Sequence, residues 1–338
     1  MLLDRRQRPL RSLRLSVTDR CNLRCQYCMP EANYTWVPRP ELLSFEELGR
    51  LVDRFIAVGV RKVRLTGGEP LLRNGLPRLV EALAAKPLDE LALTTNGVLL
   101  RDFAQPLFDA GLRQLTVSLD TLSRSTFVRL ARRDALSRVL EGLEAAAGVG
   151  FTQLKLDTVV VRGVNDHELD ALLDFAARLG AELRFIEYMD VGGATQWDPA
   201  HVVPRAELLS RLAASRGAPH PLPLRGSAPA ERFVLPDGQT FGIVASTTQP
   251  FCGACDRARV SADGQLFTCL YTSQSTDLRA LLRSPLTDEA LEARLASVWT
   301  ARLDRGAEAR AALGIRGPLA DAAQLKAAPQ LEMHRRGG

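Results

Sequence analysis

The chain has 338 residues, 46% of them hydrophobic and 25% charged, which suits one large globular domain or a large domain with a smaller appendage. No apolar run is long enough to span a bilayer, and residues 1–10 carry charges where a secretory leader carries an apolar core, so the expected compartment is the cytoplasm. The net charge of +5 admits anionic partners, but 40 of the 44 basic residues are arginines spread along the chain. No basic patch is interleaved with aromatics, so nucleic acid is not an expected partner.

Short β-like runs alternate with helical patterns up to about residue 187. Strands are predicted over 13–17, 62–66, 91–95, 114–119, 154–161 and 182–187. Between the first two, Ser44-Phe45-Glu46-Glu47 reads as a capping box that opens a helix carrying Leu48, Leu51, Val52 and Phe55 on one face, with Gly59 as the stop. Asn165 and Asp166 are placed to cap the helix that carries Leu169, Leu172, Leu173 and Phe175. Six successive strand–helix units imply parallel strands joined by right-handed crossovers, in a barrel-like or a doubly wound sheet. No GxGxxG follows the first strand, which disfavours the dinucleotide-binding form. Beyond residue 190 the pattern changes. One helix is expected near 205–215, and a β-hairpin over 232–235 and 240–244. The domain division expected is therefore 1–190 and 191–338, ending in a flexible tail, Arg335-Arg336-Gly337-Gly338.

The six cysteines form two groups with none left over. Cys21, Cys25 and Cys28 make a CxxxCxxC directly after the first strand. A structural zinc site wants four closed ligands, and no fourth Cys or His lies nearby, the first histidine being His167. Three thiolates suit a [4Fe–4S] cluster with one iron left open for a ligand, whereas a closed cluster takes four cysteines. Gly67-Gly68-Glu69-Pro70, after the second strand, lets backbone approach a ligand closely. Cys252, Cys255 and Cys269 again number three, and no histidine stands at zinc-hook spacing to them. A second open cluster, able to ligate substrate, is the reading adopted.

Side chains alternate faces along a strand. Leu13, Leu15, Val63, Leu65, Leu154, Leu156, Leu183 and Phe185 fall on the faces expected to pack against helices. Arg14, Arg64, Thr94, Ser118, Lys155 and Arg184 fall on the other. A closed eight-stranded barrel fills its interior with branched apolar layers. A polar interior with four basic residues instead implies an open α/β barrel around an anion, because burying unpaired cations is costly and guanidinium matches phosphate. Arg257 and Arg259, at strand spacing beside the second cysteine group, can reach the same phosphates.

The CxxxCxxC and GGEP segments resemble the radical S-adenosylmethionine superfamily. Within it, RLSVTDRCNLRCQYCMP (14–30), TGGEPL (66–71), TTNG (94–97), VSLD (117–120), RFIEYMDVG (184–192) and CGACDRAR (252–259), with Cys269 and the diglycine end, resemble the GTP 3′,8-cyclases. The resemblance implies a first cluster that cleaves S-adenosylmethionine, with Tyr27, Gly68, Ser118 and Met189 at cofactor-binding positions. It implies GTP as substrate, at Arg14, Arg64, Thr94, Lys155, Arg257 and Arg259, and a second [4Fe–4S] cluster that holds the guanine. It further implies a reductant protein, a downstream cyclic pyranopterin monophosphate synthase, a homodimer, and a diglycine tail that reaches the active site. The alternatives are a radical enzyme with an auxiliary cluster acting on another substrate, and a non-catalytic metal module.

Overall fold

The structure is a computed structural model describing residues 2–223 and 226–337. Its strands are β1 (Ser12–Ser16), β2 (Lys62–Thr66), β3 (Glu90–Thr95), β4 (Gln114–Ser118), β5 (Gln153–Val160), β6 (Glu182–Glu187), β7 (His220–Pro221), β8 (Glu231–Val234), β9 (Thr240–Val244), β10 (Arg257–Val260), β11 (Gln265–Phe267) and β12 (Thr276–Asp277). The helices are α1 (Phe45–Ala57), α2 (Leu76–Ala84), α3 (Leu100–Asp109), α4 (Arg124–Ala131), α5 (Leu136–Val149), α6 (Leu169–Arg178), α7 (Arg205–Arg216), α8 (Leu278–Leu282), α9 (Asp288–Thr300), α10 (Gly306–Ala311), α11 (Ala322–Ala327) and α12 (Met333–Arg336). No helix among the described residues is long and apolar enough to cross a membrane.

All twelve strands join one sheet in the order β12-β11-β10-β1-β2-β3-β4-β5-β6-β9-β8-β7. From β10 to β9, every neighbouring pair is parallel. The sheet thus carries two parallel strands more than the six expected, one at each flank and both from beyond residue 190. β9 lies beside β6 while hairpin-paired with β8, and β10 lies beside β1. The two ends of the sheet are not paired to each other, so the barrel stays open.

The predicted alternation places the core. Leu13, Leu15, Val63, Leu65, Leu93, Leu115, Val117, Leu156, Leu183 and Phe185 are buried in one apolar cluster with the inner faces of the helices. Helix α1 begins as expected, with Glu47 N–H donating to Ser44 Oγ (3.2 Å) and Ser44 N–H donating to Glu47 Oε2 (2.7 Å). Asn165, expected to cap α6, does not. Its side-chain N–H₂ donates to the carbonyls of Asp120 and Val159 (2.7 and 2.8 Å), and its Oδ1 accepts from Val161 N–H (2.8 Å). Asp166 accepts instead from Gly163 N–H and Arg211. Backbone groups at the ends of β4 and β5 need partners as badly as a helix end does, and they take both side chains.

Residues 333–337, the described part of the tail, pack against the body of the protein. His334 and Arg336 are 2% and 1% exposed. Arg336 lies over the Phe267 ring (4.5 Å) and donates to the Gln330 and Leu270 carbonyls, while His334 sits edge-on to Tyr34 and Trp36. Specific buried partners turn an arginine-rich end that reads as solvated into a docked turn.

Candidate active site

The register sets the two cysteine triads at opposite ends of the barrel. Cys21, Cys25 and Cys28 follow the C-terminal end of β1. Arg257, just after Cys255, pairs with Ser12 at the N-terminal end of β1. β11 runs antiparallel to β10, so its end, followed by Cys269, returns to that same lower edge. Between the triads lies a cavity of about 620 Å³. Its wall includes all sixteen residues singled out from sequence: the six cysteines, Tyr27, Gly68, Ser118, Met189, Arg14, Arg64, Thr94, Lys155, Arg257 and Arg259.

The cations crowd there. Arg259, Arg14 and Arg64 stand side by side across β10, β1 and β2. Burial and the neighbouring Arg259, Arg257 and Arg64 guanidinium groups hold Arg14 well below its ordinary range, and burial with Arg257 brings Arg259 down to about 10. A bound anion relieves both penalties. The interior is not purely cationic. Arg64 reaches Glu90 at 3.3 Å and donates to the Thr94 and Thr116 hydroxyls (3.2 and 2.9 Å), while Arg184 reaches Glu182 at 3.2 Å. Among the described residues Lys155 donates only to Gln153 Oε1 (2.7 Å), and burial lowers it to about 8. The tail adds a competitor, since the Gly337 carbonyl accepts from Arg14 Nη1 (3.4 Å) and Arg259 Nη1 (2.5 Å). Gly337 has φ +66°, and an added Cβ would stand 2.3 Å from Thr66 Cγ2, so only glycine reaches this point.

Around the first triad, the Gly67-Gly68 backbone packs against the loop that leads to it. A Cβ on Gly68 would meet the Arg20 carbonyl at 2.3 Å. Glu69 is fully buried, and burial raises it to about 7. It accepts from Leu71 N–H (3.0 Å), Thr95 Oγ1 (2.7 Å) and Asn96 N–H (2.7 Å), tying the GGEP turn to the end of β3. Asn96 in turn donates to Asn22 Oδ1 (2.7 Å) and toward the Cys21 sulfur (3.7 Å). Tyr27 donates its hydroxyl to Asp120 (2.6 Å), whose carboxyl burial raises to about 6. Glu69, Asn96 and Asp120 were not singled out from sequence. Each lies inside a motif quoted above, and only the fold shows what it touches.

The donor sets suit iron–sulfur clusters. All six cysteines are free thiols. Burial pushes Cys25 and Cys28 up strongly and Cys21 to about 11, so thiolates there want a cationic centre. At Cys255 burial also raises the thiol, but Arg257 and Arg302 outweigh it and bring it down to about 6. Among the described residues no three His, Cys, Asp or Glu side chains converge on a single ion. A [4Fe–4S] cube asks for a wider spread, because each thiolate takes its own iron. Arg257 Nη2 and Arg302 Nη2 point at the Cys255 sulfur (3.5 and 3.4 Å), N–H donors suited to a metal-bound thiolate.

Comparison with known proteins agrees along the whole chain. Residues 15–176 match the family model for the Radical SAM superfamily, and residues 181–307 match that for Molybdenum Cofactor Synthesis C. The GTP 3′,8-cyclase 3 of Mycobacterium bovis is 51% identical over 340 residues, covering 99% of this chain and 90% of that protein. The GTP 3′,8-cyclase of Aquifex aeolicus is 41% identical and covers 100% of each chain. The crystal structure of Streptococcus suis SuiB bound to S-adenosylmethionine shares the fold, with a TM-score of 0.60 at 15% identity over 90% of this chain and 68% of that one. With close relatives matched from end to end, the chain belongs to the GTP 3′,8-cyclase family of radical S-adenosylmethionine enzymes.

Proposed function

We infer that the chain binds GTP in the lumen between two three-cysteine clusters and converts it to 3′,8-cyclo-7,8-dihydro-GTP by joining ribose C3′ to C8 of the guanine. The observation that carries this is the cavity wall itself, with one cysteine triad at each end and Arg14, Arg64, Arg257 and Arg259 between them. When bound, the first cluster and S-adenosylmethionine supply the electron and the 5′-deoxyadenosyl radical that removes hydrogen from C3′. Cys21, Cys25 and Cys28 hold that cluster. Tyr27, Gly68, Ser118 and Met189 line the end of the cavity where the cofactor would lie. The arginines and Lys155 take the triphosphate, which sets the distance between ribose and cofactor, and the polar wall orients the sugar. Cys252, Cys255 and Cys269 would hold a second [4Fe–4S] cluster, which would supply an open coordination site for the guanine. Joining C3′ to C8 leaves one unpaired electron on the purine, which takes up an electron and a proton to give the dihydro product. A reductant protein would therefore supply two electrons per turnover, one for cofactor cleavage and one for this step. The product would pass to a cyclic pyranopterin monophosphate synthase.

The test is an anaerobic incubation of reconstituted protein with reductant, S-adenosylmethionine and one nucleoside triphosphate at a time. 5′-Deoxyadenosine is expected to form with GTP and to stay at background with ATP, CTP or UTP. Formation independent of GTP removes the substrate assignment. Cys25→Ala is expected to abolish S-adenosylmethionine cleavage while keeping the second cluster's iron. Cys255→Ala is expected to lose about half the iron and the productive hold on GTP. Equal loss of both clusters in either variant contradicts this division of labour.

A further inference from the structure

Beneath the second triad lies a buried polar cluster that the reaction as derived above does not use. Asp4, Arg8 and Arg302 are 3%, 2% and 4% exposed, and come from the two ends of the chain. Arg302 Nη1 donates to the Cys255 carbonyl (2.8 Å) and toward Asp4 Oδ2 (3.4 Å), and its Nη2 points at the Cys255 sulfur (3.4 Å). Arg8 Nε donates to Asp4 Oδ2 (2.7 Å), and its Nη1 donates to the Cys252 carbonyl (2.9 Å) and the Asp304 carbonyl (2.7 Å). Trp299 lies under the Arg302 guanidinium (4.5 Å) and donates its indole N–H to the Arg8 carbonyl (3.1 Å). Two cysteines of one triad are thus gripped from below by two arginines, which one fully buried carboxylate aligns.

Charge gives the grip a direction. Among the described residues Asp4 alone faces both guanidinium groups at full burial. Asp304 stands 3.7 Å from Arg302 Nε, is partly exposed, and accepts from the Thr268 hydroxyl. Asp4 offers one negative charge to two buried cations, so a further anion beside them is favoured, and the Cys255 sulfur, 3.4 Å from Arg302 Nη2, is placed to be one. Donors to a ligating sulfur orient the ligand and stabilise the more reduced cluster.

We propose that Arg302, aligned by Asp4 and seconded by Arg8, is a positioning residue of the second triad, fixing the Cys255 sulfur and raising the reduction potential of the cluster bound there. The proposal rests on the two-cluster reading. It gives the N-terminal segment a part in the site although no residue of that segment lines the cavity.

The experiment is a redox titration of the anaerobically reconstituted full chain, followed by electron paramagnetic resonance, with the second cluster identified as the signal missing from Cys255→Ala. Arg302→Gln is expected to lower that cluster's potential, leave the first cluster's potential in place, and speed iron loss to a chelator roughly 10–100-fold. Arg302→Lys, which keeps the charge, is expected to restore most of the potential. Asp4→Asn, which removes the carboxylate that aligns Arg302 and with it one negative charge, is expected to shift that potential and to speed iron loss by a smaller factor than Arg302→Gln. It supplies the reading if Arg302→Gln cannot hold the cluster. An unchanged second-cluster potential in whichever of these two variants retains about eight irons per chain overturns the proposal. A wild-type chain that binds only about four irons removes the two-cluster reading itself, a distinct result seen before any variant is made.

Discussion

Burial and the neighbouring Arg184 and Arg64 cations bring Lys155 down to about 8, so its charge is decided near neutral pH. The ammonium is present below that value and is lost above it. A bound triphosphate favours the charged form, so binding takes up a proton where the free protein has lost one. GTP affinity is therefore expected to be flat below about pH 8 and to fall by up to about tenfold per unit above it, read by calorimetry across that range. Lys155→Arg should flatten the profile, and Lys155→Ala should weaken binding at every pH. An affinity that rises with pH places Lys155 outside the phosphate site. Residues of this kind were legible from sequence because their chemistry is local to a strand face or a short motif. Glu69, Asp120 and Arg302 were not, because what matters about each is a partner far along the chain: Thr95 and Asn96, Tyr27, and Asp4.

Period-two patterning placed the first six strands to within a residue at each end, since each has one face on the core and a slipped register would expose it. β10 is four residues long and follows an irregular cysteine loop, so its place beside β1 had no periodic signal to announce it. Between elements, the loop after β6 carries a sharp constraint. A Cβ built on Gly193 would stand 1.8 Å from the Cys28 carbonyl oxygen and 2.4 Å from its carbon, a clash with backbone that no rotamer relieves. Gly193→Ala is expected to displace the first cysteine loop, with about half the iron lost and S-adenosylmethionine cleavage with it. Gly148→Ala in α5 serves as the control. Nothing lies within 4 Å of its Cβ, and alanine favours a helix interior by up to about 1 kcal/mol. Normal iron content in Gly193→Ala, measured colorimetrically, means the two loops move apart freely.

At the scale of the molecule, the strands contributed from beyond residue 190 decide whether the rest is self-sufficient. β10 covers the outer edge of β1, and β9 covers that of β6. A chain ending at Asp190 would expose two parallel edges with unpaired N–H and C=O groups, a template for association. It is expected to aggregate, while the full chain remains in solution, as size-exclusion chromatography would report. A monomeric, folded fragment contradicts that expectation. The alternation that revealed a polar lumen could not reveal this dependence, because edge pairing joins segments separated by most of the sequence.

The docked tail has a consequence in time. The His334 backbone N–H faces the Cys28 sulfur, and Met333 packs on Gly192 beside it. These residues are made after every strand of the sheet. While the nascent chain is still emerging, the first cysteine loop has no cover, and the strand that feeds it still lacks β10. Iron delivery to that loop is easiest in this interval. In a chain folded without iron the turn at 333–337 covers that loop, so iron uptake there is expected to be slower than in a chain lacking 333–338.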